Sequence, residues 1–181
     1  MNTGVISMRY AKALFAYAAE QGVEDAIYHN MLQLMATLQQ VKELGTMLAA
    51  PSLSKEERVR LLCSAVDSSP VYEDFMRLVV AEEREPLLIF ICHCYVSLYR
   101  KAKDIVAVRI TTAGPADEAL CRSMTSLVAG DGATVELQNV VDEDIVGGFL
   151  CETETHRLDA SIRRQLRDIE KELVKQNRKL V

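Results

Sequence analysis

Two hydrophobic rhythms divide the chain, a helical one up to about residue 102 and a strand-like one beyond it. Ser7 to Gln21 carries apolar residues at helical spacing and ends at Gly22, a C-cap residue type. Tyr10, Ala13, Leu14 and Tyr17 form one stripe of this segment; Ala11, Phe15 and Ala18 form a second. One stripe can face a bundle core and the other then needs a second burial site, unless the helix is buried all round. Ile27, Met31, Leu34, Met35, Leu38 and Val41 predict the next helix, and a short helical turn around Thr46 to Ala49 stops before Pro51. Ser54-Lys55-Glu56-Glu57 predicts a capping box that opens a helix through Val59, Leu62 and Val66. Ser69-Pro70 opens another, with proline where its missing N–H costs least, and that helix carries Phe75, Leu78, Val79 and Val80. A charged turn, Glu82-Glu83-Arg84-Glu85-Pro86, leads into a helix from Leu87 to about Lys103, whose apolar start reads as buried. Helical segments joined by such short connections predict a six-helix bundle over residues 1–103.

The period changes near Asp104. Ile105 to Thr112 is β-branched and strand-like, Gly114-Pro115 is a turn, and Ala116 to Val128 is helical. Gly130-Asp131-Gly132 breaks the chain again before a strand from Thr134 to Val141. A further strand, Ile145 to Glu152, contains the pair Gly147-Gly148. Neighbouring strand residues face opposite ways, so a glycine pair strips both faces at one level and admits a bulge or another backbone. Asp159 can then cap a helix to Lys175, with Ile162, Leu166, Ile169 and Leu173 at helical spacing. The fold class predicted is α+β: mostly helical, with a helical bundle over 1–103 and a small α/β domain over 104–181.

Composition narrows the function classes. The 181 residues are 49% hydrophobic, enough for a core, but no run approaches the roughly 20 apolar residues that span a bilayer. Met1 to Ser7 is too short and polar for a signal peptide. The five cysteines are then expected as reduced thiols in a cytoplasmic compartment. A formal charge of −5 argues against general binding to nucleic acid or acidic membranes.

The search for chemistry yields no catalytic residues, no cofactor and no metal site. Cys92-His93-Cys94 invites a metal reading, but residues two apart on a helix diverge and no second ligand pair has zinc-like spacing. Core-facing cysteines beside an exposed or groove-lining histidine are the expectation. Gly147-Gly148 lacks the further glycines or lysine of a phosphate loop. His156 and Asp159 have no nucleophile motif beside them and read as a surface histidine and a helix cap. Glu82, Glu83 and Glu85 read as a solvated bundle end. Residues Arg163 to Lys179 are locally basic, but Asp168, Glu170 and Glu172 interrupt them and no aromatic stacking set accompanies them, so no nucleic acid is expected.

The ordered set Asp142, Ile145, Gly147, Gly148, Asp159, Ser161, Arg163 and Leu166 resembles the C-terminal signature of the delta subunit of bacterial rotary ATP synthases, relatives of the mitochondrial oligomycin-sensitivity-conferring protein. At the other end, Arg9-Tyr10-Ala11-Lys12-Ala13-Leu14-Phe15 resembles the start of the same family. Two departures stand out: Glu154-Thr155 where the family commonly has Gly-Asp, and Glu82-Glu83 where it often has Asn-Gly. The resemblance implies a non-catalytic stator subunit, one copy per complex, peripheral on the cytoplasmic face of the bacterial plasma (inner) membrane. It implies that the N-terminal bundle receives the N-terminal helix of an alpha subunit and the C-terminal domain engages a b-type peripheral stalk. The groove residues it points to are Tyr10, Ala13, Leu14 and Tyr17 on helix one with Phe75, Leu78 and Val79 on helix five. From another class, a small acidic two-domain regulatory or RNA-associated adaptor also accounts for two domains without catalysis, but not for paired terminal signatures.

Overall fold

In the computed structural model, which describes residues 3–48, 53–115, 117–129, 134–153 and 156–177, the first helix, α1, covers Thr3–Gln21. Gly22 ends it at φ +67. Its amide donates to the Ala19 carbonyl, and the Val23 amide donates to Ala18, the paired bonds of a Schellman stop. Next come α2 (Glu24–Gln40), α3 (Lys42–Leu48), α4 (Lys55–Ser64), α5 (Pro70–Ala81) and, after a 3₁₀ turn at Glu85–Leu87, α6 (Leu88–Ala102). Ala49 and Pro51, which close the expected third segment, lie outside the described residues. The capping box forms in full: the Ser54 amide donates to Glu57 Oε2 at 2.9 Å and the Glu57 amide to Ser54 Oγ at 3.3 Å. Ser69 caps α5 ahead of Pro70.

These helices belong to one unit, Met1–Ala102. Its core is Ala11, Leu14 and Ala18 of α1, Ile27, Met31 and Leu34 of α2, Leu62 of α4, and the inner faces of α5 and α6. Fully burying one leucine such as Leu14 contributes about 1.5–3 kcal/mol. Two expectations need correction. The apolar start of α6 is not buried throughout, because Phe90 is 52% exposed, whereas the exposed His93 agrees with the reading above. The charged turn is not wholly solvated either: Glu85 is buried against Arg58 at 3.0 Å, while Glu82 and Glu83 stay exposed.

In the same turn, Glu83 stands where the resembled family often has glycine. Glu83 sits at φ +57, and the Arg84 amide reaches back to the Val79 carbonyl. A left-handed residue here suits glycine and strains glutamate. Glu83→Gly is therefore expected to stabilise the helical unit by roughly 0.5–1 kcal/mol despite losing an exposed 3.7 Å pair with Lys55, a gain read as a raised midpoint in urea unfolding.

The second unit, Lys103–Val181, is built on a mixed sheet of order β2-β1-β3-β4. Its strands are β1 (Ile105–Thr112), β2 (Thr134–Val141), β3 (Phe149–Glu152) and β4 (Arg157–Asp159), with helices α7 (Glu118–Ala129) and α8 (Ile162–Asn177). β1 and β2 are parallel and joined through α7; β3 runs antiparallel to both β1 and β4. Val108, Ile110 and Cys151 form the core on one sheet face with Met124 of α7. The expected break at Gly130-Asp131-Gly132 and the turn at Glu154-Thr155 lie outside the described residues.

The stretch around the glycine pair departs from expectation. It is not one strand from Ile145 to Glu152. Asp142 accepts the Asp144 amide at 3.0 Å and starts a 3₁₀ turn at Glu143–Ile145. Val146 (φ +68) and Gly148 (φ +76) then turn the chain before β3 begins at Phe149. Helix α8 also begins later than expected, at Ile162, because Asp159 ends β4 and Ser161 takes the capping role.

Candidate partner-binding surfaces

The N-terminal candidates divide by burial. Leu14 is 1% exposed, Phe75 6% and Val79 0%, so these three belong to the core and cannot present side chains to a partner. This corrects their place in the expected groove: the apolar stripe is wider than its accessible part. Tyr17 and Leu78 are 42% and 49% exposed, Ala13 is exposed and Tyr10 is half-buried. Tyr10 sets its ring edge-on to Phe75, centroids 6.5 Å apart at 71°. Leu78 follows Phe75 by three residues and so lies on the same flank of α5. The α1–α5 seam therefore has a buried floor of Leu14, Phe75 and Val79 and an open rim of Tyr10, Ala13, Tyr17 and Leu78.

In the C-terminal unit the signature residues build the joint from which α8 leaves the sheet. A Cβ placed on Gly148 would collide with the Ala160 carbonyl oxygen, and one on Gly147 would lie 2.7 Å from Ile162 Cδ1. Gly148 thus admits the backbone of the α8 approach, and Gly147 the Ile162 side chain. The Ile162 amide donates to the Gly147 carbonyl at 3.0 Å, and the Ala160 amide to Phe149 at 2.9 Å. Asp159 does not cap α8 directly. Its Oδ1 accepts the Ser161 hydroxyl at 2.7 Å and the Ser161 amide at 3.1 Å, while Ser161 Oγ accepts the Arg164 amide at 3.2 Å. The Ser161 hydroxyl, then its amide, hold the Asp159 carboxyl below the usual range. Asp142, Asp159, Ser161 and Arg163, far apart in sequence, border one cleft of about 470 Å³ together with Leu150, Arg157, Arg164, Arg167, Asp168 and Lys171.

Every α8 residue from Ile162 to Glu172 is exposed. Its apolar stripe, Ile162 (41%), Leu166 (58%) and Ile169 (54%), stays largely open among the described residues, with Ile162 Cδ1 resting beside Gly147. The side chain of Leu173, expected on the same stripe, lies outside the described residues. Periodicity revealed the stripe, not that it stays open. Exposed Val146 and Leu158 had no sequence signal at all, since one sits in a turn and the other in a three-residue strand.

Among the described residues, no group of three or more His, Cys, Asp or Glu could hold a metal, and no helix is long and apolar enough to cross a membrane. Cys92 is fully buried with Sγ 3.6 Å from Met31 Sδ, and His93 is exposed. Burial pushes the Cys92 thiol from 9.0 up to about 12. Between those values the unfolded thiol has lost its proton and the folded one has not. Its stabilising effect is therefore complete below pH 9 and is lost as pH rises toward 12. Urea midpoints measured from pH 8 upward are expected to fall through this window, and less steeply in Cys92→Ala.

A family model described as "ATP synthase delta (OSCP) subunit" matches residues 6–173. The chain belongs to this family. It is 40% identical over 185 residues to ATP synthase subunit delta of Phocaeicola vulgatus, an alignment covering 100% of both chains. The Synechococcus elongatus subunit delta is 33% identical over 164 residues, covering 88% of this chain and 91% of that one. Among solved structures, a chain of the Toxoplasma gondii mitochondrial ATP synthase hexamer shares the fold, with a TM-score of 0.68 at 18% identity over 93% of this chain and 97% of the other. The family's subunit is a structural rather than a catalytic part of the ATP synthase, so the surfaces above are to be read for binding.

Proposed function

We propose that this chain is the stator subunit that joins the catalytic head of a rotary ATP synthase to its membrane-anchored peripheral stalk. Ion flow turns a rotor, and the head makes ATP only when held against that rotation. The task is slow dissociation under torque, which needs two binding surfaces and no reacting group. On this reading the six helices of the N-terminal unit form one bundle whose α1–α5 seam receives the N-terminal helix of an alpha subunit. Tyr10, Ala13, Tyr17 and Leu78 make the contacts, because an amphipathic helix needs an accessible apolar groove. The C-terminal unit engages a b-type stalk subunit. One copy serves each complex, held peripherally at the cytoplasmic face of the bacterial inner membrane through its partners.

The observation that carries this reading is the uncovered α8 stripe. Three large exposed aliphatic residues at helical spacing are what a second helix would bury. Leu166→Asp tests it. Leu166 is 58% exposed, so the free chain is expected to melt as the wild type does. In the complex the aspartate loses hydration without a partner, and affinity for the cytoplasmic part of the b-type subunit is expected to fall at least tenfold, about 1.4 kcal/mol or more. Calorimetric titration of the full chain reads this, and unchanged affinity in a folded variant would remove α8 from the stalk contact.

A further inference from the structure

Among the described residues, three other than glycine hold a positive φ: Glu83 at +57, Asp104 at +50 and Val146 at +68. Aspartate visits this region through local hydrogen bonds, but a β-branched residue there is an outlier. The turn dictates the conformation of Val146 from both sides. Buried Ile145 fixes the chain before it, and its own amide donates to the Glu143 carbonyl at 3.1 Å. After it, the Gly147 carbonyl accepts the Ile162 amide at 3.0 Å. Glycine or asparagine would take that conformation at lower cost. Nor does the unit gain from the valine methyls, because Val146 is 67% exposed, the most open large apolar side chain among the described residues. Backbone and solvent both disfavour valine here.

We infer that Val146 is a contact residue for the stalk helix that covers the α8 stripe, kept in a strained conformation because it presents an apolar side chain to that partner. The inference rests on the stalk reading above and extends its surface from the helix onto the turn that anchors it. Ile162 is the link. A Cβ on Gly147 would lie 2.7 Å from Ile162 Cδ1, and the Cα of Val146 is about 3.8 Å from that of Gly147. Val146 therefore stands within a side chain's reach of the N-terminal end of the stripe, which Leu166 and Ile169 continue down the helix. At about 1.5 Å per residue, Ile162 to Ile169 spans roughly 10 Å, and Val146 lengthens the apolar track by about one helical turn. The partner this fits is a helix whose apolar, uncharged face runs for about three turns, with one end on Val146. The charged α8 residues that border the cleft, Arg163, Arg167 and Lys171 among them, turn away from the stripe and take no part.

Strain and contact make opposite predictions for one substitution. Val146→Asn is expected to raise the urea midpoint of the C-terminal unit, since asparagine tolerates the left-handed conformation. In calorimetric titration of the full chain, the same variant is expected to bind the cytoplasmic part of the b-type subunit roughly tenfold more weakly. Val146→Ile keeps both the strain and the apolar surface, and is expected to keep wild-type affinity. The Ile162 amide should stay as protected from hydrogen exchange in both variants as in the wild type, because its bond to Gly147 is untouched. Wild-type affinity in Val146→Asn, with Leu166→Asp still deficient, would overturn the contact and leave stalk docking on α8 standing. A lowered midpoint, or a loss of Ile162 protection that accompanies the loss of affinity, would make Val146 a residue of the fold and overturn the contact as well. Failure of the unaltered chain to bind the stalk fragment would overturn the stalk reading and this inference together.

Discussion

Replacing Gly148 with valine is expected to unfold the C-terminal unit while the N-terminal helices stay protected. Gly148 holds φ +76, and any Cβ there would run into the Ala160 carbonyl. That obstacle is backbone and cannot rotate away as a side chain can. The left-handed conformation costs about 1–2 kcal/mol and overpacking another 1–3, so the sum is roughly 2–5 kcal/mol. A loss of that size is a large fraction of the stability of a small domain. Gly147→Val provides the contrast, because its added Cβ meets the tip of Ile162, which can change rotamer. Hydrogen exchange on the full chain distinguishes them. In Gly148→Val the β1 and β3 amides are expected to lose protection and those of α1 and α6 to keep it, whereas Gly147→Val should perturb mainly the start of α8. Wild-type protection of β1 and β3 in Gly148→Val would show that the close approach has no energetic weight.

Aspartate at Leu14 and at Tyr17 is expected to fail in different ways, although the residues share one stripe. Leu14→Asp loses about 1.5–3 kcal/mol of burial and adds a buried, unpaired charge, so the helical unit should unfold. Tyr17 is 42% exposed, and Tyr17→Asp should melt near the wild-type temperature. Its deficit should appear only with the partner, as at least a tenfold loss of affinity for the alpha-subunit N-terminal helix, about 1.4 kcal/mol or more. Val79→Asp and Leu78→Asp form the corresponding pair on α5. Thermal melting followed by titration with the alpha-subunit peptide separates the two outcomes. If Tyr17→Asp and Leu78→Asp both bind like the wild type, the seam between α1 and α5 is not the docking groove.

What the sequence revealed depended on how local the deciding interaction is. Ser54 and Glu57 are three residues apart and satisfy each other, so the start of α4 was legible from those two letters. β1 announces itself by branched residues and β2 by alternation, over eight positions each. β4 has three residues, too few for any period to show. Apolar neighbours surround the glycine pair, so its pattern alone places it within a strand. Its actual setting depends on Asp142 capping a turn and on the left-handed conformations of Val146 and Gly148, which leave no mark in periodicity. Asp159 and Ser161 are both capping types two residues apart, and only the hydrogen bonds show that the first orients the second. The candidate groove blurred for a related reason. Leu14 lies between the core positions Ala11 and Ala18 and the outer positions Tyr10 and Tyr17, and which edge of such a band is free depends on its neighbours. Equally, an apolar stripe like that of α8 reads the same whether its own chain or another covers it.

The bridging role itself is tested most directly by assembling three components: the catalytic head, the full chain and the cytoplasmic part of the b-type stalk subunit. Sedimentation velocity should show a head–stalk complex only when the wild-type chain is present. Leu166→Asp is expected to leave the chain on the head without the stalk, and Tyr17→Asp with Leu78→Asp to leave it on the stalk without the head, while ATP hydrolysis by the head continues in every case. A head–stalk complex that forms equally well without this chain, or a wild-type chain that binds either partner only at the expense of the other, would contradict the account.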